Sequence, residues 1–109
     1  MFTEPPFNAL CKPLQEALER LGYREATEPQ RRAMPLIHAG ESVLLIAPTG
    51  TGKTEAALLP IFDLLLRNSH LLGSGVSILY VTPLRALNRD ILRRMAQLAE
   101  ELGMRVAVR

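Results

Sequence analysis

The chain is 109 residues long, which makes one domain at most, and a chain of that size buries only about 60–70% of its unfolded surface. Hydrophobic residues make up 48% and charged residues 22%, an ordinary soluble composition that excludes the disordered and fibrous classes. The net charge of +2 permits a nucleic-acid partner without requiring one, and the single cysteine, Cys11, excludes an internal disulfide and a cysteine-built metal cluster.

Residues 1–9 read as an extended lead-in, because Pro5 and Pro6 oppose a regular helix. With Glu4 and no basic leader ahead of an apolar core, MFTEPPFNAL is not expected to be a targeting segment. Nor does any apolar run approach the ~20 residues of a membrane span, so no membrane partner is expected and a reducing, cytoplasmic setting fits the lone Cys11. Pro13 suits a first helical turn, and Leu10, Leu14, Leu18 and Leu21 recur at helical spacing up to Gly22. Thr27 stands three residues before Gln30, a capping-box pattern, with Pro29 in the first turn of a second helix that runs to about His38 and turns Ala33, Met34 and Ile37 inward. Pro35 falls inside it and is expected to kink or restart the helix at a cost of about 3 kcal/mol. His38 is expected only to complement the helix dipole.

Val43 to Ile46 are continuously apolar and partly β-branched, which predicts a strand buried on both faces and ended by Ala47 and Pro48. The chain must then turn sharply. Gly50 and Gly52 tolerate positive φ, so the N–H groups of Thr49 to Thr54 can converge on one anion, reinforced by the N-terminus of the helix that follows. Lys53 is placed to reach β- and γ-phosphates, and the Thr54 hydroxyl to ligate a magnesium ion that bridges them. The pattern GxxxxGK[ST] is met except at its first position, where Ala47 stands for Gly. From Lys53 to about Arg67 the next helix is apolar nearly all round, so it is buried on more than one side. Asn68 to Gly75 read as a polar loop. Val76 to Thr82 predict a second buried strand ended by Pro83, followed by a long helix to about Leu102 with Leu84, Leu87, Ile91, Met95, Leu98 and Leu102 in one stripe. Gly103 caps it, and a third strand begins over Met104 to Val108.

Strand, helix, strand, helix, strand at these lengths predicts an α/β class: a parallel sheet flanked by helices in a P-loop nucleotide-binding domain that is only partly present. Residues 1–40 form a helical segment ahead of it, and 41–109 its first part.

Two further stretches narrow the class. Gln30 suits a bidentate contact to the N6 and N7 edge of adenine, which would select ATP, and equally suits the capping box with Thr27 alone. Arg85, Arg89 and Arg93 are spaced by four on one helix face. Arg85, with the unfilled N–H groups at that helix N-terminus, suits a phosphate of a nucleic-acid backbone, and the three arginines equally suit a solvated face partly balanced by Asp90.

Taken in order, GYREATEPQ at 22–30, APTGTGKTE at 47–55 and TPLRALNRD at 82–90 resemble the Q motif, motif I and motif Ia of superfamily 2 DEAD/DEAH-type ATP-dependent helicases. Ala commonly opens motif I there. Ala26 stands where DEAD-box proteins usually have proline, and TPLRALNRD is closer to the large-helicase-related branch than to the DEAD-box form. The resemblance covers about residues 7–109. It implies two RecA-like domains that close on ATP and move along a DNA or RNA strand. Carried onto this chain, Phe7, Tyr23 and Gln30 would contact adenine; Ala47, Pro48, Thr49, Gly50, Thr51, Gly52, Lys53 and Thr54 would hold the phosphates, and Thr54 would hold Mg2+. Lys53 would be the catalytic cation on the transferred γ-phosphoryl, while Pro83, Leu84 and Arg85 would touch the strand backbone. No DExH or DExD string occurs in these residues, so hydrolysis is expected of the full-length helicase and not of residues 1–109 alone. Without the later strands of domain 1 and the second domain as partners, the chain is expected to pack loosely or self-associate. The alternative reading is a P-loop motor that binds no nucleic acid, or a nucleotide-binding module only.

Overall fold

The computed structural model describes residues 2–68, 70, 75–82 and 89–107. A short 3-10 turn over Phe7–Ala9, where an extended lead-in was expected, leads into α1 (Lys12–Arg20), α2 (Glu28–His38), α3 (Lys53–Arg67) and α4 (Arg89–Glu101). Pro13 lies in the first turn of α1, where its missing N–H is harmless. At the start of α2 the expected capping box forms: Thr27 Oγ1 accepts from Gln30 N–H at 3.3 Å, and Gln30 Oε1 accepts from Thr27 N–H at 2.9 Å. Both α1 and α4 end as the glycines foretell. After Gly22 the Tyr23 N–H reaches back to Leu18 O, and after Gly103 the Met104 N–H reaches Ala99 O, the six-residue closure that a left-handed glycine permits.

Two helices run through a proline. In α2 the expected kink or restart at Pro35 does not divide the helix, which continues to His38: Pro35 lies on the exposed side, while Ala33 and Met34 anchor the same turn in the core. The buried Pro60 is accommodated likewise inside α3. Helix α3 is the centre of the molecule, with Ala56, Leu58, Leu59, Phe62 and Leu65 all buried. Around it pack Leu14 and Leu18 of α1, Met34 of α2, Met95 and Leu98 of α4, and Phe7 of the lead-in.

The strand expectation is corrected. The runs at 43–46, 76–82 and 104–107 are present, but none is a paired strand among the described residues. Each contributes apolar side chains to the core, Leu45, Ile78 and Met104, yet the runs are not buried on both faces: Leu44 and Ile46 are each 85% exposed and Val81 is 83% exposed. A parallel ladder needs a neighbour in register on each side, and a run that lacks one keeps one apolar face on the helices and the other in solvent.

One polar cluster lies within the apolar packing. The side chain of Asp63 on α3 is 0% exposed. It accepts from Cys11 N–H at 2.7 Å, from His38 Nε2 at 2.6 Å and from Arg67 Nε at 2.8 Å, and Arg67 Nη2 also donates to Ala9 O at 2.8 Å. The lead-in, α1, α2 and α3 meet at this carboxylate. His38, expected only to complement a helix dipole, is thus a hydrogen-bond partner of Asp63 as well.

Candidate functional site

The loop between the first apolar run and α3 is held in shape from both ends. Thr51 Oγ1 donates to Pro48 O at 2.6 Å and closes the turn from within. From outside, the start of α2 clamps it: Thr27 Oγ1 donates to Thr51 O at 2.7 Å, and Gln30 Nε2 donates to Gly52 O at 3.2 Å. Gly50 has φ +85 and Gly52 has φ +76, both in the left-handed region that disfavours a Cβ. Gly52 is the N-cap of α3, and no side chain caps that end. The first N–H groups of α3 are therefore left for an anion, the arrangement that makes a helix N-terminus a phosphate site.

Thr49, Gly50, Gly52, Lys53 and Thr54 line a concavity of about 50 Å³ whose far wall is Ile91 of α4. Lys53 is exposed at its rim, whereas Thr54 is buried, its hydroxyl 3.4 Å from that of Tyr80. Ala47 is half-buried, and Pro48 is exposed ahead of the turn. Gln30, 3% exposed, touches the loop from behind. Each atom of its amide keeps one further bonding position, a second hydrogen on Nε2 and a second lone pair on Oε1. Capping and base recognition, opposed as alternatives in the sequence, are therefore chemically compatible.

Phe7 is 1% exposed and makes edge contacts with Phe2 at 5.0 Å and Tyr23 at 6.4 Å between ring centroids. It also borders a second cleft of about 210 Å³ between the lead-in and the turn Arg24–Ala26, with Arg31 at its edge. The Tyr23 hydroxyl donates to Glu55 Oε2 at 2.7 Å. Burial foremost, then the Glu55 carboxylate, push this phenol up to about 12 against the opposing pull of Arg94, so it remains a donor at neutral pH. Pro83, Leu84 and Arg85 lie outside the described residues. Sequence reasoning missed Glu55, Tyr80 and Arg94. Only Glu55 carried a signal, an acid buried in the first turn of an otherwise apolar helix.

A glycine-bent loop feeding an uncapped helix N-terminus, with a lysine and a threonine at its start, defines a P-loop phosphate-binding protein. Residues 27–109 match the DEAD/DEAH box helicase family, and the chain belongs to that family. It is 41% identical to the ATP-dependent helicase Lhr-Core of Methanocaldococcus jannaschii, over 97% of this chain and 14% of that protein. With the Lhr-Core helicase of Saccharolobus solfataricus it shares 42% identity over 85% of this chain and 11% of the relative. The DEAD-box ATP-dependent RNA helicase 29 of Oryza sativa subsp. indica is 36% identical over 91% of this chain and 11% of its own length. The chain thus spans about a seventh or less of these relatives. No solved structure matches. Membership of the family carries an α/β fold, of which the described residues show the helices and the apolar runs without a ladder. Among those residues no helix is long and apolar enough to cross a membrane.

Proposed function

We infer that residues 1–109 form the ATP-binding part of an ATP-dependent helicase acting on a DNA or RNA strand, and that the full-length protein couples ATP hydrolysis to movement along it. The observation that carries this reading is the clamp of Thr27 and Gln30 on the carbonyls of Thr51 and Gly52, which ties Gln30 directly to the loop ahead of α3. The loop N–H groups and Lys53 receive the phosphates, with Lys53 opposing the charge that builds on the transferred group. Magnesium, when bound, neutralises phosphate charge. Thr54 is the hydroxyl ligand this chain would offer, and among the described residues no cluster of three His, Cys, Asp or Glu could hold the ion without the nucleotide. Orienting the attacking water needs an acid, and no DExH or DExD string that would supply it occurs in these 109 residues. Hydrolysis is therefore assigned to the full-length protein. The unpaired Cys11 suits a cytoplasmic setting.

Gln30→Glu keeps an acceptor for Thr27 N–H and removes the donor toward Gly52 O and adenine. In the full-length protein it is expected to cut the preference for ATP over GTP about tenfold, measured as the ratio of hydrolysis efficiencies. An unchanged ratio, or a wild type indifferent to added DNA and RNA, would sink the reading.

The three apolar runs are proposed as strands of a RecA-like parallel sheet that later parts of the helicase complete. Their open faces make the isolated 109-residue chain prone to self-association. Replacing Leu44 and Ile46 together by lysine is expected to shift it toward monomer in light scattering with little change in melting temperature. Identical association of both forms would refute this.

A further inference from the structure

A second set of contacts runs from the phosphate loop to α4. Glu55 follows Thr54 directly, and its side chain is buried. Oε2 accepts from the Tyr23 hydroxyl at 2.7 Å, whereas Oε1 is buried without a hydrogen-bond partner. Arg94 of α4 places its guanidinium 5.7 Å from the centroid of the Tyr23 ring, with Nη1 3.4 Å from the hydroxyl. One chain of contacts thus joins the first turn of α3, the turn after α1 and the exposed side of α4. On α4, Ile91 walls the phosphate concavity, and Arg89 and Arg93 are exposed. Arg94 is the cation at the far end of this chain of contacts, and through Ile91 the same helix walls the phosphate concavity, so a shift of the first turn of α3 reaches α4 by two routes.

We propose that Arg94 is a positioning residue: through its contacts with Tyr23, and those of Tyr23 with Glu55, it ties the first turn of α3, where the phosphate loop ends, to α4, and so sets α4 for the nucleic-acid strand when the loop fills. This rests on the helicase reading above and adds to it the element that links the two ligands. Because linkage is reciprocal, strand binding then favours nucleotide binding through the same contacts.

The test uses the full-length protein and compares ATP hydrolysis with and without a single-stranded oligonucleotide. Arg94→Gln is expected to leave basal hydrolysis within about twofold of wild type and to reduce strand stimulation about fivefold, a coupling of ordinary size. Arg94→Lys, which restores the charge over the ring, is expected to recover most of the stimulation. In a cycle with Tyr23→Phe the two losses are expected not to add, because both variants cut the same connection. A stimulation ratio unchanged by Arg94→Gln overturns the proposal alone. So does a parallel fall of basal and stimulated rates, or failure of lysine to rescue. A wild type that no strand stimulates overturns the helicase reading and this proposal together.

Discussion

Gly52→Ala in the full-length protein is expected to weaken binding of a non-hydrolysable ATP analogue by a few hundredfold, while Gly50→Ala weakens it by about five- to thirtyfold. Both residues lie in the left-handed region, where a Cβ costs about 1–2 kcal/mol. At Gly50 nothing lies within 4 Å of an added Cβ, so backbone strain is the whole penalty. At Gly52 the new atom would sit 2.1 Å from Gln30 Nε2 and 3.1 Å from its Cδ, and the glutamine must leave. Its departure breaks the bond to Gly52 O, undoes the capping box with Thr27 and strands buried polar atoms at about 1–3 kcal/mol. Strain and displacement together come to about 2–5 kcal/mol, and the middle of that range sets the few-hundredfold figure. The comparison separates two explanations of why glycine occupies the loop. If both variants bind alike, only the backbone matters and the contact with Gln30 is incidental.

What the sequence disclosed and what it hid follow from the range of the forces involved. The capping box of Thr27 and Gln30, the glycine ends of α1 and α4 and the span of α3 are set by neighbours within six residues, so a linear reading reaches them. The sharp turn at Gly50 and Gly52 was legible for the same reason, because the positive φ of both is set within one short stretch of backbone. The apolar runs were read as strands from their composition, but pairing belongs to two chain segments at once, and Val43 to Ile46 carry no sign of a neighbour in register. Glu55 and Arg94 were invisible because their link passes through Tyr23, 32 residues from one and 71 from the other. His38 carried a local dipole argument that concealed a partner 25 residues away.

That partner underlies the largest stability effect. Asp63→Ala is expected to destabilise the chain by about 3–5 kcal/mol in urea melts at neutral pH, because three hydrogen bonds to one buried carboxylate are lost, each worth about 1–3 kcal/mol. Against a typical total of about 5–15 kcal/mol this approaches unfolding. Cys11 N–H loses its acceptor, and Arg67 is left holding only Ala9 O. Asp63→Asn keeps the shape and one acceptor oxygen, so its cost is smaller, about 1.5–3 kcal/mol for the lost charge. The pH dependence separates charge from packing. Burial by itself would raise the Asp63 carboxyl, but the Cys11 N–H, His38 and Arg67 outweigh it and hold the group below its ordinary value. A carboxyl lowered on folding stabilises the fold above its unfolded value of about 3.9, and that contribution drains away as pH falls from there through the folded value. Wild type should therefore lose stability below about pH 4 more steeply than Asp63→Asn, so that the two melting curves converge in acid. Parallel decline of the two proteins over that range would mean that Asp63 holds the helices by shape, and that its charge contributes nothing.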